Sequence, residues 1–534
     1  MSRQMDTDSR TGNLRPRVDR TGSAGGLLFV GIMLSALTEA LSGTVLSLGR
    51  IDMIGDIHAT PDEFAALDIT YTSAKLFGFV VSGWLIGHVP ARRLVVAATL
   101  TMGAACAIAA MTTRLDVLVF LRAVQGAAGG LLLVGGQVVL FTGFPKTRQP
   151  LLQALFAVAA VVAPSTVAPA LEGWLVDTLS WSWIFGMAVP LALAGAGLVV
   201  MAGGHDPKAG EPRTHDVAGL LLLAAILGSV SYVLTLGSRW NWFETPGIVS
   251  LTLLSAVLLL TFLGRQAIAG QAALIDLSVF RSADFAFAFV VSFVAGAALF
   301  GSAYLIPSFA QSQLAFPATE AGLLLLPSSA LFVASLFLSA CLIQFRRLNP
   351  FATVPIGIAL IMAAMWLLAG ATAQSGPDDL LPAVLLRGLG LGFLFLSITL
   401  IAFGNLPFRA LAMGIGLFNA GRQLGGMMGV AGLQTLIDGN TTQNGAILAA
   451  HITAGTPAVI QRLGATAAQL MQEGLDAVTA ERIAMGGLAR AAAGQASVIA
   501  FETAFLAVAL LFVCAAPILI AVRLGLSRSR ATRS

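Results

Sequence analysis

The segments FLRAVQGAAGG (120–130) and LLRGLGLGFLF (385–395) each set one arginine into an apolar, glycine-rich run, about seven residues from the run's start. Two further pairs stand at nearly the same separation: ALF at 154–156 with GLF at 416–418, and Arg92-Arg93 with Arg346-Arg347. Offsets of 265, 262 and 254 residues, differing only by loop length, mark an internal repeat. A continuous apolar run of about 20 residues crosses a bilayer as a helix. The repeated unit is therefore a set of membrane helices.

Composition agrees. Of 534 residues, 57% are hydrophobic and 10% charged, with 57 glycines besides, against roughly 25% charged in soluble domains. The apolar runs are continuous and do not alternate, which excludes a β-barrel. The fold class is an all-α polytopic membrane protein. None of the three lysines (Lys75, Lys146, Lys208) follows a glycine, so no phosphate-binding loop of the Gly-Lys-Ser/Thr kind exists. All five histidines fall in hydrophilic connections, which removes chemistry needing an imidazole inside a span. The lone cysteines 106, 341 and 514 read as small buried apolar residues, and no metal cluster is indicated.

Hydropathy places fourteen spans near 26–48, 66–87, 93–112, 116–140, 149–172, 181–202, 217–237, 246–264, 284–307, 318–343, 352–372, 380–404, 411–436 and 499–523. With both termini in the cytoplasm, twenty of the 30 basic residues fall in inner segments, six in outer ones, and four (Lys75, Arg122, Arg387, Arg422) inside spans. That is the bias of the positive-inside rule. The expected domains are a disordered tail at 1–25, a six-helix bundle at 26–202, a linker with two extra helices at 203–283, a second six-helix bundle at 284–523 and a tail at 524–534. The long outer loop 437–498 is amphipathic. It is expected to form a helical cap on the membrane surface or a docking site for a periplasmic adaptor.

This organisation resembles the major facilitator superfamily, specifically its fourteen-span drug:proton antiporters of the EmrB/QacA type. GWLVDTLSWSWIFGMAVPLA (173–192) looks like that family's GGWLxDxxSWRWIFxINVPIG. Arg122-Ala123-Val124-Gln125-Gly126 matches its fourth-span motif, and GLFNAGRQLGG (416–426) looks like GLFNxxRxLGG. The resemblance implies two bundles that rock about a central cavity, a proton gradient as energy source, no cofactor and no enzymatic activity. It also implies a multi-pass protein of the bacterial inner membrane, expected to act as a monomer on a small-molecule substrate, with no nucleic-acid partner. By the family's pattern Gly83, Arg92 and Arg93 belong to an inner gate, although Gly87 stands where the gating aspartate belongs. Pro164 and Pro169 keep the prolines of the hinge motif, whereas Ala163, Ala168 and Glu172 replace its glycines.

In the first span, Ser42 stands where the family has an aspartate, and Glu39 lies one turn lower on the same face. Glu39 and Lys75 are each nine residues below the outer ends of spans one and two, about 13 Å deep. An ion pair between them is expected, either as a proton-sensitive switch or as a static pin between helices. By resemblance to the family's fourth-span arginine, Arg122 is expected to act in proton coupling with Glu39 and Lys75; the alternative is that it only bonds backbone carbonyls. Ser42, Tyr71, Thr72, Asn419, Arg422 and Gln423 are expected to line the substrate cavity. Glu172 and Glu502, near span ends, are expected to snorkel to water. The function expected is proton-coupled export of amphipathic or hydrophobic compounds by alternating access. The alternative is a dedicated exporter of one metabolite, siderophore or lipid; an intramembrane enzyme is disfavoured.

Overall fold

The computed structural model describes residues 23–48, 50–165, 167–204, 216–270, 273–452 and 456–531. All but three residues of the expected N-terminal tail lie outside these. The described chain is helical: α1 (Ser23–Leu48), α2 (Arg50–Ile57), α3 (Pro61–His88), α4 (Ala91–Ala109), α5 (Leu115–Gly143), α6 (Gln149–Ala157), α7 (Val167–Thr178), α8 (Ser182–Met201), α9 (Val217–Leu236), α10 (Pro246–Ala269), α11 (Ala283–Gln313), α12 (Ala318–Leu323), α13 (Leu325–Phe345), α14 (Pro350–Ala369), α15 (Pro377–Gly404), α16 (Phe408–His451), α17 (Pro457–Gln472) and α18 (Ala477–Ala531).

Helix starts follow local chemistry. Thr60 and Glu63 form a capping box at α3, with Pro61 in the first turn where a missing N–H costs nothing. Asp216 accepts from the Gly219 N–H at 2.9 Å and so caps α9.

Among the described residues, twelve helices are long and apolar enough to cross a membrane, two fewer than the fourteen segments expected. The difference has a physical reason at each place. Segment 149–172 is one broken rod: α6 passes through a π-helical turn (Val158–Val162) and a 3-10 turn holding Pro164 before α7 begins. Segment 411–436 lies within the 44-residue α16, where Asn419, Arg422, Gln423 and several glycines dilute its apolarity. The outer loop also differs from a surface cap. Residues 437–451 continue α16, and 477–498 are already part of α18, so only α17 is a separate helix, packed on α18. The backbone of α18 stays helical to Ala531, through most of the expected C-terminal tail. Cys106 is buried as expected, but Cys341 and Cys514 are exposed on the bundle surface.

The first repeat packs as α3 on α5, α4 on α5 and α8, and α1 on α8. The second packs as α14 and α13 on α15, and α11 on α16 and α18. Helices α9 and α10 pair with each other, and α9 leans on α3. Small residues bring backbones together. A Cβ on Gly126 or Gly130 would run into the carbonyls of Tyr71 and Lys75, and one on Gly388 would meet the carbonyl of Ser328. Such close approach is how membrane helices gain packing energy where lipid supplies no hydrophobic drive. It sets the backbones of Tyr71 and Lys75 directly against α5.

One end of the bundle, called here the basic end, carries Arg92, Arg93, Lys146, Arg148, Arg346, Arg347 and Arg409 in and beside its connections. The two repeats meet there. The Phe141 and Phe403 rings contact edge to face at 5.5 Å, Lys146 Nζ donates to the Gly404 carbonyl at 3.2 Å, and a Cβ on Gly83 would lie 2.7 Å from Met413 Cα.

Candidate functional site

Helix α1 runs through the first repeat with Thr38, Glu39 and Ser42 on one polar face, while Thr44 points to the other side, against α7. Glu39 is 1% exposed, and its Oε1 lies 2.5 Å from Lys75 Nζ on α3. Tyr71, one turn before Lys75, donates its hydroxyl to the same oxygen at 2.9 Å. Arg122 on α5 stacks over the Tyr71 ring, 4.0 Å from its centroid, and donates to the Ser42 carbonyl at 2.7 Å and to Gln125 Oε1 at 3.1 Å. Ser42 Oγ donates to Gln125 Oε1 at 3.4 Å. The cluster therefore holds one carboxylate, one ammonium and one guanidinium. Two guanidinium nitrogens of Arg122, Nε and Nη2, are buried without a hydrogen-bond partner. Lys75 is 17% exposed, so a path to water reaches the pair, and Asp68, two turns along α3 toward the other end, is exposed.

Protonation has a clear consequence in this geometry. Were Glu39 to take up a proton, its attraction to Lys75 would be lost and that half-buried ammonium would be left without its counter-charge, to be relieved by hydration or movement.

The second repeat holds cations without carboxylates. Arg387 is buried and donates to Ser302 Oγ at 2.6 Å, Ser328 Oγ at 3.0 Å and the Leu299 carbonyl at 3.2 Å. Arg422 is half-buried over the Phe395 ring at 4.8 Å and donates to Asn419 Oδ1 at 2.6 Å. Asn419 in turn donates to Gln137 Oε1 at 3.2 Å, Gln137 to Gln153 Oε1 at 3.2 Å and Gln153 to Gln149 Oε1 at 3.2 Å. This amide chain runs from Arg422 across both repeats to Gln149, whose own amide donates to the Leu140 carbonyl at 2.8 Å beside the basic-end closure.

Of the residues expected in a substrate cavity, Thr72, Arg422 and Gln423 are half-buried, whereas Ser42, Tyr71 and Asn419 are buried and occupied by the bonds just described. Among the expected gate residues, Gly83 makes a close helix contact and Arg93 is exposed. Arg92 donates to carbonyls that end α8, those of Val199, Val200, Gly203 and Gly204. Pro164 sits in the 3-10 turn; the side chain of Pro169 lies outside the described residues. Glu502 is exposed, but Glu172 is not: it is fully buried, because the break in helix α6–α7 turns its last part inward against α1. The sequence carried one sign of this, a glutamate standing where the hinge motif has a glycine. The contact partners Gln125, Gln137 and Gln153 were also missed, although Gln125 lies one turn from Arg122.

A polytopic helical bundle with a repeat, a charged cluster at mid-depth and one end closed by contacts between the repeats is the architecture of a secondary transporter. The chain belongs to the Major Facilitator Superfamily, whose model matches residues 28–430. It is 25% identical over 417 residues to the multidrug export protein EmrB of Escherichia coli K12, covering 76% of this chain and 78% of that protein. It is 24% identical to the fatty acid resistance protein FarB of Neisseria gonorrhoeae, over 93% of this chain and 96% of that protein. These relatives support the drug:proton antiporter branch. In fold it is similar to the human organic anion transporter MFSD10, with a TM-score of 0.54, 12% identity, and 91% of this chain and 98% of that chain covered.

Proposed function

We propose that this chain exports an amphipathic small molecule in exchange for protons, with Glu39 as the proton-binding group. The observation that carries this reading is the buried Glu39–Lys75 pair at 2.5 Å, since a proton bound there changes the net charge of the cluster and so the relative stability of two conformations. Arg122 holds Tyr71 and α1 in register with the pair. The energy source is the proton gradient, and no cofactor is required. By the positive-inside rule the basic end is cytoplasmic, both termini with it, in an inner-membrane protein that acts as a monomer. Its closure there, with Lys75 partly exposed, fits a state in which the site is reached from the opposite side. The helical stretches 437–451, 457–472 and 477–498 offer a surface for a periplasmic adaptor.

A second reading concerns the cargo. Lys75 already pairs with Glu39, whereas Arg387 is held by neutral acceptors alone and Arg422 bonds only the Asn419 amide, so the cavity favours an anionic amphipath, the chemistry named in the fatty acid resistance relative. Proteoliposomes with an imposed pH gradient and three cargoes of equal chain length (carboxylate, neutral alcohol, quaternary ammonium) test both readings. Gradient-driven transport of the carboxylate in preference supports them. Preference for the ammonium contradicts the second, and transport that ignores the gradient contradicts the first.

A further inference from the structure

Glu172 has no part in the site above, yet it is an acidic side chain with no solvent exposure. It lies on α7 against Thr44 of α1, with Oε1 2.6 Å from the Thr44 hydroxyl oxygen, and its Oε2 is buried with no hydrogen-bond partner. No described lysine or arginine makes an ion pair with it. Thr44 Oγ1 is also 3.1 Å from the Ala40 carbonyl and 3.2 Å from the Leu41 carbonyl, and a hydroxyl has a single proton to give. If that proton goes to the carbonyl one turn back, the short contact to Glu172 needs a second proton, and only the carboxyl can supply it. If it goes to Glu172 instead, an ionised carboxylate is left fully buried on one neutral donor, the costlier arrangement.

We propose that Glu172 is a second proton-binding carboxyl, neutral in this conformation, that joins the broken helix α6–α7 to α1. The titratable and charged groups facing it are few. Helix α1 offers Glu39, five residues before Thr44 and so about 7.5 Å away along the axis; α5 offers Arg122, bonded to the Ser42 carbonyl; α8 carries none in its sequence. Glu172, Arg122 and Glu39 thus attach in turn to Thr44, Ser42 and position 39 of one helix. Loss of the Glu172 proton would put a negative charge into this contact, to be relieved by water entering at the π and 3-10 turns, where the α-helical backbone bonding is already interrupted. The proton-binding step is independent of the transport reading; only its use in transport rests on that reading.

The test is infrared pH-difference spectroscopy on the purified full-length protein in lipid, with the part of the tryptophan emission that Trp174→Phe removes as a second signal, Trp174 lying two residues along α7. The expected result is a protonated-carboxyl C=O band at neutral pH that disappears in Glu172→Gln, survives in Glu39→Gln and titrates together with the emission. Thr44→Val keeps the acid and removes its partner, and should shift the band. A spectrum unchanged by both Glu172→Gln and Thr44→Val overturns the proposal. Because neither signal depends on transport, a wild type that fails to transport would contradict the proposed function while leaving this result standing. With transport present, Glu172→Gln should shift the pH profile of exchange; an unshifted profile overturns its part in coupling.

Discussion

Lys75 Nζ and Tyr71 Oη, one helical turn apart on α3, converge on a single oxygen of Glu39, at 2.5 and 2.9 Å. Both donors owe their position to glycines on α5, since Gly126 and Gly130 let the α3 backbone approach where any side chain would collide with the carbonyls of Tyr71 and Lys75. Gly126→Ala should therefore separate the two helices and cost about 1–3 kcal/mol through overpacking. Gly228→Ala, with open space around its Cβ position, is the control and should leave stability unchanged or slightly raised. Thermal unfolding of the two variants in detergent distinguishes them.

Arg122 makes a charged hydrogen bond to the Ser42 carbonyl and stacks on Tyr71. Removing a hydrogen bond to a charged group costs about 1.5–3 kcal/mol, so Arg122→Gln should lower transport roughly ten- to hundredfold. Arg122→Lys should not restore it, because an ammonium lacks the planar face for stacking and the second donor arm. Initial transport rates, compared with unfolding temperature, separate a functional loss from a merely structural one.

The amide chain from Arg422 through Asn419 and Gln137 ties cavity to closure. Gln137→Leu breaks it at the crossing between repeats and leaves Asn419 and Gln153 each short of a partner, a cost of about 1–3 kcal/mol to the closed form. The basic end should open more often. Distances between spin labels placed on the 144–149 and 405–407 connections should broaden toward longer values, and an unchanged distribution would show that the chain does not hold this end shut.

At the mouth of α9, Asp216 accepts from Arg265 at 2.6 and 3.0 Å as well as from Gly219. The Arg265 hydrogen bonds hold its carboxyl below the usual carboxylate range. A depressed folded-state pKa stabilises the fold at pH above the unfolded-state value, and that stability is lost as pH falls through the folded-state value. Asp216→Asn should cost at most about 1 kcal/mol at neutral pH, since the cap is partly compensated and the Arg265 contact is screened. The gap between wild type and variant should close in acid, as unfolding temperature measured against pH would show.

Much of this was legible in the chain. The Glu39–Lys75 pair follows from counting residues below two span ends, because helical rise converts sequence distance to depth without further information. The repeat and the place of Arg122 follow equally from linear spacing. Glu172 did not, since its burial depends on a helix break that redirects a span end, and periodicity assumes an unbroken rod. Two of the fourteen expected spans do not stand out as long apolar helices, for the same reason at 149–172 and for a compositional one in α16, where polar residues dilute the apolar signal that marks a crossing. The glutamines 137 and 153 were silent because amides gain meaning only from partners on other helices.

The proposed exchange turns on a proton bound at Glu39. Proton and substrate fluxes measured together in proteoliposomes under an imposed pH gradient, for wild type and Glu39→Gln, test it most directly. The expected result is coupled fluxes in the wild type, and in Glu39→Gln the loss of gradient-driven accumulation with substrate still bound. Gradient-driven accumulation that persists at wild-type level in Glu39→Gln would contradict it.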